Sequence, residues 1–257
     1  MNIEVFFSPS QVDELSLRDK NVIVIDVLRA STTIATALLN GAREIIPVNT
    51  VESAVKISGN LFGDVVLRGG ERNGKIIEGF NLGNSPAEYT VEAVKGKSII
   101  FCTTNGSSAI VKSRYAKNLV IAGFVNMSTV LEFMKEVGED FYILCAGKHS
   151  LFCIEDSVCA GMIITELMND DTVTVGLNDP AVAAAALYKS MGKNLQRMVR
   201  ATDHGKFLSE IGFKNDIKLC TDIDSVPVLP VLVGNSIKLR KIENPKPSSP
   251  ETDVSAQ

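Results

Sequence analysis

Apolar and polar segments alternate along the first two-thirds of the chain with the spacings of buried strands and of helices. The run at residues 22–26 is apolar until it ends in Asp26, which is typical of a strand buried on both faces. Further strands are predicted at 44–48, 65–67, 98–102, 119–122 and 142–146, and helices at 31–39, 51–58, 87–94, 107–112 and 128–137. Strands separated by helices predict an α/β fold, with a mostly parallel sheet and covering helices in α/β/α layers.

The pattern changes after residue 147, where longer helical segments begin. Helices are predicted at 155–168, 180–191, 195–202 and 206–211, and a closing strand pair at 228–232 and 236–239. Pro230 predicts that the first strand of this pair lies at a sheet edge. We expect a catalytic domain over residues 1–242, either one unit or two α/β lobes with a change near 147. The polar residues 243–257 are predicted to be a disordered tail.

Charge and composition exclude several classes of function. The 257 residues carry 26 Lys and Arg against 30 Asp and Glu, so the net charge is -4 and there is no basic run for nucleic acid. No apolar stretch predicts a membrane span, and the N-terminus lacks the pattern of a signal peptide. The five cysteines form no CxxC motif and predict reduced thiols, which argues against zinc. We therefore expect a cytoplasmic protein with neither nucleic-acid nor membrane partners, and whether it forms a homo-oligomer stays open.

Candidate chemistry lies in the loops that follow the predicted strands, because ligands of parallel α/β sheets bind beyond the carboxyl ends of strands. In the first loop, Asp26 offers oxygen ligands for Mg²⁺, and Arg29 offers a planar fork that matches phosphate. Ser31 adds a hydroxyl at a helix N-terminus, which attracts anions. The alternative interpretation is structural: Ser31 or Thr32 only caps the helix while Asp26 pairs with Arg29.

The second loop runs from residue 68 to residue 86 and is rich in glycine. Glu71 and Arg72 supply both signs of charge, and Asn81 and Ser85 follow them. Glycines allow the backbone to approach a ligand closely, although a flexible surface loop has the same composition. Ser85 before Pro86 also fits a helix cap.

The third loop, directly after the strand at 98–102, has an unbroken run of small polar residues. Thr103, Thr104, Asn105 and Gly106 offer hydroxyls, an amide and backbone N–H groups at a strand-to-helix junction, which is typical of a phosphate cradle. A helix cap needs only one of these residues, so the redundancy favours ligand binding over capping alone.

The fourth loop contains charged residues of both signs before the helix predicted at 155–168. Glu155 and Asp156 either stabilise the helix dipole or complete a metal site with Asp26. Lys148 is suited to neutralise a ligand anion. The isolated His204 fits either acid–base chemistry or the entry to a helix.

Four segments, VIDVLRASTTIATAL, GGERNGKIIEGFNLGNSPAEY, FCTTNGSSAI and CAGKHSLFCIEDSVCAGMI, together resemble the 2-phosphosulfolactate phosphatase (ComB-like) family. The resemblance covers about residues 3–242. It implies Mg²⁺-dependent hydrolysis of 2-phosphosulfolactate to sulfolactate and phosphate in coenzyme M biosynthesis, with a small phosphorylated hydroxy acid as the partner. It also implies an α/β fold particular to the family. The family's motif positions fall on Asp26, Arg29, Glu71, Arg72, Asn81, Ser85, Thr104, Asn105, Gly106, Glu155 and Asp156.

These residues predict a mechanism based on charge neutralisation. Mg²⁺ would be held by Asp26 with one or both of Glu155 and Asp156, and the substrate's anionic groups would be clamped by Arg29 and Arg72 beside Glu71. Ser31, Asn81, Ser85 and the loop at 103–106 would bind the substrate. The absence of a DxD motif favours a metal-activated water over Asp26 as the nucleophile. A phosphoryl transferase or isomerase, and a non-enzymatic phosphometabolite-binding protein, remain alternatives that use the same anion site.

Overall fold

The apolar runs of the sequence form the strands of a single mixed sheet. The computed structural model describes residues 1–60 and 65–240, and the predicted tail at 243–257 lies outside the described residues. Two strands, at residues 21–25 and 98–102, precede the first and third loops. All five residues of each are buried, as expected for strands covered on both faces. The strands are β1 (Asn2–Phe6), β2 (Asn21–Ile25), β3 (Glu44–Pro47), β4 (Val66–Arg72), β5 (Lys75–Ile76), β6 (Ser98–Cys102), β7 (Asn118–Ala122), β8 (Phe141–Cys145), β9 (Gly176–Leu177), β10 (Pro230–Val233) and β11 (Ser236–Leu239).

The helices begin within about two residues of most predicted starts. They are α1 (Ala30–Leu39), α2 (Val51–Asn60), α3 (Val91–Val94), α4 (Gly106–Lys112), α5 (Met127–Val137), α6 (Ile154–Met168), α7 (Asp179–Met191), α8 (Leu195–Ala201), α9 (Asp203–Glu210) and α10 (Lys214–Cys220). The single helix predicted at 87–94 is wrong. The segment instead divides into a 3-10 turn at Pro86–Glu88 and the short helix α3. The Thr90 side chain caps α3 by accepting from the N–H of Ala93.

Two parallel blocks of strands are joined by an antiparallel hairpin. The strand order is β5-β4-β6-β3-β11-β10-β7-β2-β8-β1-β9. Strands β4, β6 and β3 are parallel to one another, and so are β7, β2, β8, β1 and β9. The α/β prediction of a mostly parallel sheet with covering helices is therefore confirmed.

The β10–β11 hairpin lies inside the sheet, so the prediction that Pro230 marks an edge is wrong. Val231 of β10 pairs with Val120 of β7, and Ile237 of β11 pairs with Ile45 of β3. Pro230 is tolerated because it is the first residue of its strand, where no ladder N–H is required of it. The hairpin thus connects the two parallel blocks.

Helices α1 and α4 pack on one face of the sheet, where they contact strands of both blocks, and bring their loops together. Their buried side chains Ile34 and Ala109 share one apolar cluster with Val24 of β2 and Phe101 of β6. The opposite face of the larger block packs against α5 to α8, and that of the smaller block packs against α2. Because α1 follows β2 and α4 follows β6, their shared position places the first and third loops side by side.

Two further predictions concern the chain as a whole. No helix within residues 1–60 and 65–240 is long and apolar enough to cross a membrane. All five cysteines are free and buried, as the sequence predicts for reduced thiols. The possible division into two lobes near residue 147 stays a prediction.

Candidate functional site

The loops after β2, β4, β6 and β8 meet around one pocket at the N-terminal ends of α1 and α4. Its volume is about 250 Å³, and helix α9 supplies the wall that faces these loops. The pocket is lined by Asp26, Leu28, Arg29, Glu71, Asn73, Gly74, Asn84, Thr104, Asn105, Lys148, His149, His204, Phe207 and Leu208. The pocket lies at the loops where the sequence analysis placed the candidate chemistry, and three of these loops contribute residues of the predicted site: Asp26 and Arg29, Glu71, and Thr104 with Asn105.

Asp26 lies at the floor of the pocket with one carboxylate oxygen fixed by the start of α1. Its Oδ1 accepts from the N–H of Ala30 at 3.3 Å. A Cβ added to Gly106 would lie 2.6 Å from Asp26 Oδ2, so only glycine allows α4 to begin this close to the carboxylate. Burial raises the pKa of the Asp26 carboxyl to about 6, and the nearby Glu71 and Glu155 carboxylates add to this rise.

The buried Glu155 and the partly buried His204 form a pair beside the pocket. Glu155 lies in the first turn of α6 with only 1% of its surface exposed, and its Oε1 is 3.2 Å from His204 Nδ1. The second oxygen, Oε2, is buried without a hydrogen-bond partner in the described part of the chain. His204 is thus a pocket residue as well as a helix-entry residue of α9. The sequence left these two interpretations open because a lone histidine carries no spacing information.

Asp156 has a structural role that argues against the predicted role as a metal ligand. Its Oδ1 accepts from the N–H of Val27 at 2.8 Å, and its Oδ2 accepts from the N–H of Gly147 at 3.0 Å. Burial, together with the nearby Asp26 and Glu155 carboxylates, raises the pKa of Asp156 well above its ordinary value. The side chain joins the ends of β2 and β8 and does not line the pocket.

Arg29 lines the pocket but is held by a buried partner that the sequence analysis did not identify. Its Nη1 is 2.6 Å from Asp216 Oδ2, and its Nη2 donates to the carbonyl of Gly74 at 2.9 Å. The guanidinium also stacks on Phe213, 4.2 Å from the ring centroid. The alternative pairing of Arg29 with Asp26 is therefore not formed. Asp216 was missed because α10 itself was not predicted.

Glu71 connects the second and third loops through backbone donors. Its Oε1 accepts from the N–H of Thr104 at 2.7 Å, and its Oε2 accepts from the N–H of Gly74 at 2.8 Å. The adjacent Asn105 accepts from the N–H of His149 at 2.9 Å, which extends the connection to the fourth loop. Because both carboxylate oxygens of Glu71 accept backbone hydrogen bonds, its geometry favours a role in shaping the pocket over a direct catalytic role.

Arg72 lies on the opposite side of β4 from Glu71, because successive side chains of a strand point to opposite faces. Its Nη2 contacts the carbonyl of Asn49 and the sulfur of Cys102, each at 3.2 Å. Arg72 is not among the residues that line this pocket, so its predicted role as a phosphate clamp gains no support from the geometry and stays a prediction.

Two residues predicted for substrate binding in the second loop also lie outside the pocket. Asn81 is exposed, and its Oδ1 accepts from the N–H of Arg68, which closes the base of the loop. Ser85 is buried and donates to Asp216 Oδ1 at 2.7 Å. Ser85 therefore supports the partner of Arg29, and neither residue is placed to touch a ligand in the pocket.

Ser31 and Thr103 form hydrogen bonds within the turns that lead into α1 and α4, but neither residue is the N-cap of its helix. The N-cap positions are Arg29 and Asn105, whose side chains make no capping hydrogen bond, so the predicted capping by Ser31 is not observed. The Ser31 hydroxyl accepts from the N–H of Asp26 at 2.9 Å, and Thr103 Oγ1 accepts from the N–H of Ser107 at 3.0 Å. Their predicted contact with substrate is not supported, because neither side chain lines the pocket.

Several residues that line the pocket were not predicted as site residues, or were mentioned in the sequence analysis without a firm role. Asn73, Asn84 and Phe207 were not predicted, since nothing in their sequence context distinguishes them from loop or helix residues. Lys148 lies over the Phe207 ring, with its Nζ 5.3 Å from the centroid. Only the tertiary fold brings α9 over the strand ends and reveals this wall.

The buried carboxylates of the site give rise to a testable pH dependence of stability. The Asp26 pKa is about 6 in the folded chain against an ordinary value of 3.8. Between these values the folded state keeps a proton that the unfolded state releases, so the Asp26 contribution to the free energy of unfolding falls as pH rises. We expect Asp26→Asn to gain stability relative to wild type across this window and to keep that gain above it. Urea denaturation of both proteins in EDTA at several pH values measures the difference, and a pH-independent difference would contradict the assignment.

The described fold and pocket define an α/β protein with a polar, carboxylate-lined pocket at its strand ends, an arrangement typical of enzymes that act on small molecules. The 2-phosphosulpholactate phosphatase family model matches residues 6–235. The chain belongs to the 2-phosphosulfolactate phosphatase family.

Relatives from several bacteria support this membership along nearly the full chain. A probable 2-phosphosulfolactate phosphatase of Caldanaerobacter subterraneus subsp. tengcongensis is 38% identical over 93% of this chain and 98% of its own length. Proteins with the same name are 38% identical in Clostridium acetobutylicum, over 92% of this chain and 100% of theirs, and 40% identical in Thermotoga maritima, over 86% and 93%.

Proposed function

We propose that this protein is a phosphatase that hydrolyses 2-phosphosulfolactate to sulfolactate and phosphate, a reaction of coenzyme M biosynthesis. One observation carries the proposal beyond family membership: Glu155 Oε2 is buried without a partner in the described chain, beside a pocket whose floor is the buried Asp26. Unpaired buried carboxylate oxygens are costly, and a cation or a donor brought with the substrate would satisfy them.

The charges around the pocket indicate that an anionic substrate needs a cation. Asp26, Glu71 and Glu155 are close enough to interact electrostatically, whereas Arg29 is already paired with Asp216. A phosphate ester that carries further anionic groups would be repelled by this set of carboxylates. We propose that Mg²⁺ resolves this repulsion.

The residues present fit Mg²⁺ better than a metal that needs a preformed cage. Within residues 1–60 and 65–240, no group of three His, Cys, Asp or Glu side chains is arranged to hold an ion. Mg²⁺ commonly uses one or two protein carboxylates together with waters and substrate phosphate. Asp26 and Glu155 would hold it, and when bound it would neutralise a phosphoryl oxygen.

The protein's own groups would then orient the substrate. Lys148 lines the same pocket and would attract the anionic substrate, and the bond between Glu155 and His204 fixes the imidazole ring in the pocket wall. Attack by water forms the new P–O bond and breaks the bond to the alkoxide, which takes up a proton to become the hydroxyl of sulfolactate.

Phosphate release tests this function directly. We expect free phosphate from 2-phosphosulfolactate in Mg²⁺, a loss of at least ~10²-fold after excess EDTA, and recovery when Mg²⁺ is restored. Unchanged turnover in excess chelator would exclude the metal from the mechanism.

The same assay separates the alternative functions. A phosphoryl transferase or isomerase would consume the ester without stoichiometric free phosphate. Tight binding of the ester with no turnover, whether or not Mg²⁺ is present, would instead favour a phosphometabolite-binding protein.

A further inference from the structure

The Arg29 guanidinium lines the pocket and is buried, yet it is only partly hydrogen-bonded. Arg29 is 1% exposed. Its Nη1 donates to Asp216 Oδ2 at 2.6 Å, and its Nη2 donates to the carbonyl of Gly74 at 2.9 Å. A guanidinium has five N–H donors, so three of them have no partner among residues 1–60 and 65–240. Because an unpaired buried donor is costly, these N–H groups indicate an acceptor that a ligand brings into the pocket.

Three contacts fix the plane of this guanidinium. Asp216 and the carbonyl of Gly74 each hold one of its nitrogens, and the Phe213 ring covers one face, with its centroid 4.2 Å from Arg29 Cζ. A guanidinium is planar and rigid, so these contacts also set the directions of the remaining N–H groups. Asp216 therefore helps to determine how Arg29 offers its donors to a ligand.

The Asp216 carboxylate is itself held in one orientation. Asp216 lies in the first turn of α10 and is 3% exposed. Its Oδ1 accepts from the Ser85 hydroxyl at 2.7 Å, while its Oδ2 accepts from Arg29. Each oxygen thus has its own donor, and the carboxylate cannot rotate without breaking one of these bonds. A chain of contacts runs from Ser85 in the second loop through Asp216 to the pocket.

Stability alone does not account for the pair of Arg29 and Asp216. A buried ion pair gives little net stability over apolar side chains of the same size, because both charges must leave water. Asp216 neutralises the charge of Arg29 but occupies only one of its donors. Such an arginine can still bind an oxyanion through directed hydrogen bonds, which is how arginine recognises phosphate and carboxylate groups.

We propose that Asp216 is a positioning residue of the substrate site: supported by Ser85, it holds the Arg29 guanidinium so that the remaining N–H groups bind an oxyanion of the substrate. The inference rests on the proposed phosphatase function and deepens it, because it gives Asp216 a role in substrate binding that acts only through Arg29. The ligand group is a phosphate, carboxylate or sulfonate, and 2-phosphosulfolactate carries all three.

The kinetics of Asp216→Asn and Ser85→Ala test this role. Asp216→Asn keeps the size of the side chain but removes the charge that holds Arg29, and we expect kcat/KM for 2-phosphosulfolactate to fall ~10- to 100-fold. Ser85→Ala leaves the ion pair in place and should lower kcat/KM ~3- to 10-fold, so it also serves if Asp216→Asn does not fold. Asp222→Asn, at an exposed position after α10, is the matched control and should leave the value unchanged.

The same substitutions in an Arg29→Met background separate positioning from a structural role. If Asp216 acts through Arg29, then Asp216→Asn and Ser85→Ala should each change kcat/KM less than ~2-fold once Arg29 is absent. An equal loss in both backgrounds means that Asp216 only supports the fold, and it would overturn the inference. Unchanged kcat/KM in both single variants that retain Arg29 would overturn it as well.

Binding measurements keep this inference separate from the proposed function, because they require no turnover. Sulfolactate and inorganic phosphate are titrated calorimetrically into the wild-type protein, Asp216→Asn, Arg29→Met and the double variant. We expect Asp216→Asn to weaken binding ~10-fold when Arg29 is present, and to have no further effect when it is absent. Weaker binding of phosphate shows that Arg29 binds the phosphoryl oxygens, and weaker binding of sulfolactate shows that it binds the carboxylate or the sulfonate.

The two proposals can therefore fail independently. If the wild-type protein releases no phosphate from 2-phosphosulfolactate, the proposed function fails, yet the role of Asp216 stands when its replacement weakens binding through Arg29. That role fails if the wild-type protein and Asp216→Asn bind both ligands equally, or if the wild-type protein binds neither.

Discussion

Replacing Asp26 with asparagine should reduce phosphate release by about 10³-fold or more while the protein remains folded. The substitution keeps the size of the side chain and an oxygen that can accept from the N–H of Ala30. It removes the negative charge that would hold Mg²⁺ at the floor of the pocket. Steady-state phosphate release at saturating Mg²⁺, with circular dichroism to verify folding, measures the effect.

The outcome also separates a role in chemistry from a role in packing. Because burial disfavours the ionised Asp26 carboxylate, the asparagine variant should be at least as stable as wild type near neutral pH. Asp171→Asn, at an exposed position, is the matched control for loss of one charge and should keep full activity. A folded Asp26→Asn protein with wild-type turnover would disprove the assignment.

The second large effect concerns stability and arises from the buried pair of Arg29 and Asp216. Asp216→Ala should lower the free energy of unfolding by about 3–5 kcal/mol, because it leaves the Arg29 guanidinium buried without its counter-charge. It also removes the acceptor of the Ser85 hydroxyl. Denaturant unfolding of the variant measures this loss, and the melting temperature should fall by roughly 10 °C.

A double-mutant cycle tests whether the loss results from the unpaired charge. Adding Arg29→Met to Asp216→Ala should recover part of the stability, since no charge is then buried alone. Additive losses in the two single variants would show that the two side chains do not interact energetically. Stability is measured here in place of activity, because Arg29 lines the pocket and its replacement would change activity for a separate reason.

Sequence reasoning predicted where the site lies more reliably than what each residue does there. Asp26 and Glu155 were assigned as carboxylates of the site, and both adjoin the pocket because strand ends of a parallel block meet at one edge. Arg72 was assigned to the same site with equal justification from sequence. It points away because its neighbour Glu71 occupies the inward position of β4.

Ligand-binding residues differ from structural residues in their hydrogen-bond partners. Those partners could not be predicted from the sequence. Asp156 and Glu155 are adjacent carboxylates in one helical turn, yet two backbone N–H groups bind both oxygens of Asp156, while one Glu155 oxygen has no partner among residues 1–60 and 65–240. Those backbone donors follow the ends of β2 and β8, and the first of them, Val27, is 129 residues from Asp156 in the sequence. No local pattern encodes such a contact.

The sequence by itself determined the α/β class, most strand and helix positions, and the loops that line the candidate pocket. These follow from local periodicity and from the preference of polar, glycine-rich segments for strand ends. Only the tertiary structure decided that the β10–β11 hairpin joins the two blocks and that Asp216 pairs with Arg29. It also decided that His204 and Asn84 enter the pocket wall. The physical reason is that burial and pairing depend on contacts between segments that are distant in the sequence, from the 49 residues between Glu155 and His204 to the 187 residues between Arg29 and Asp216.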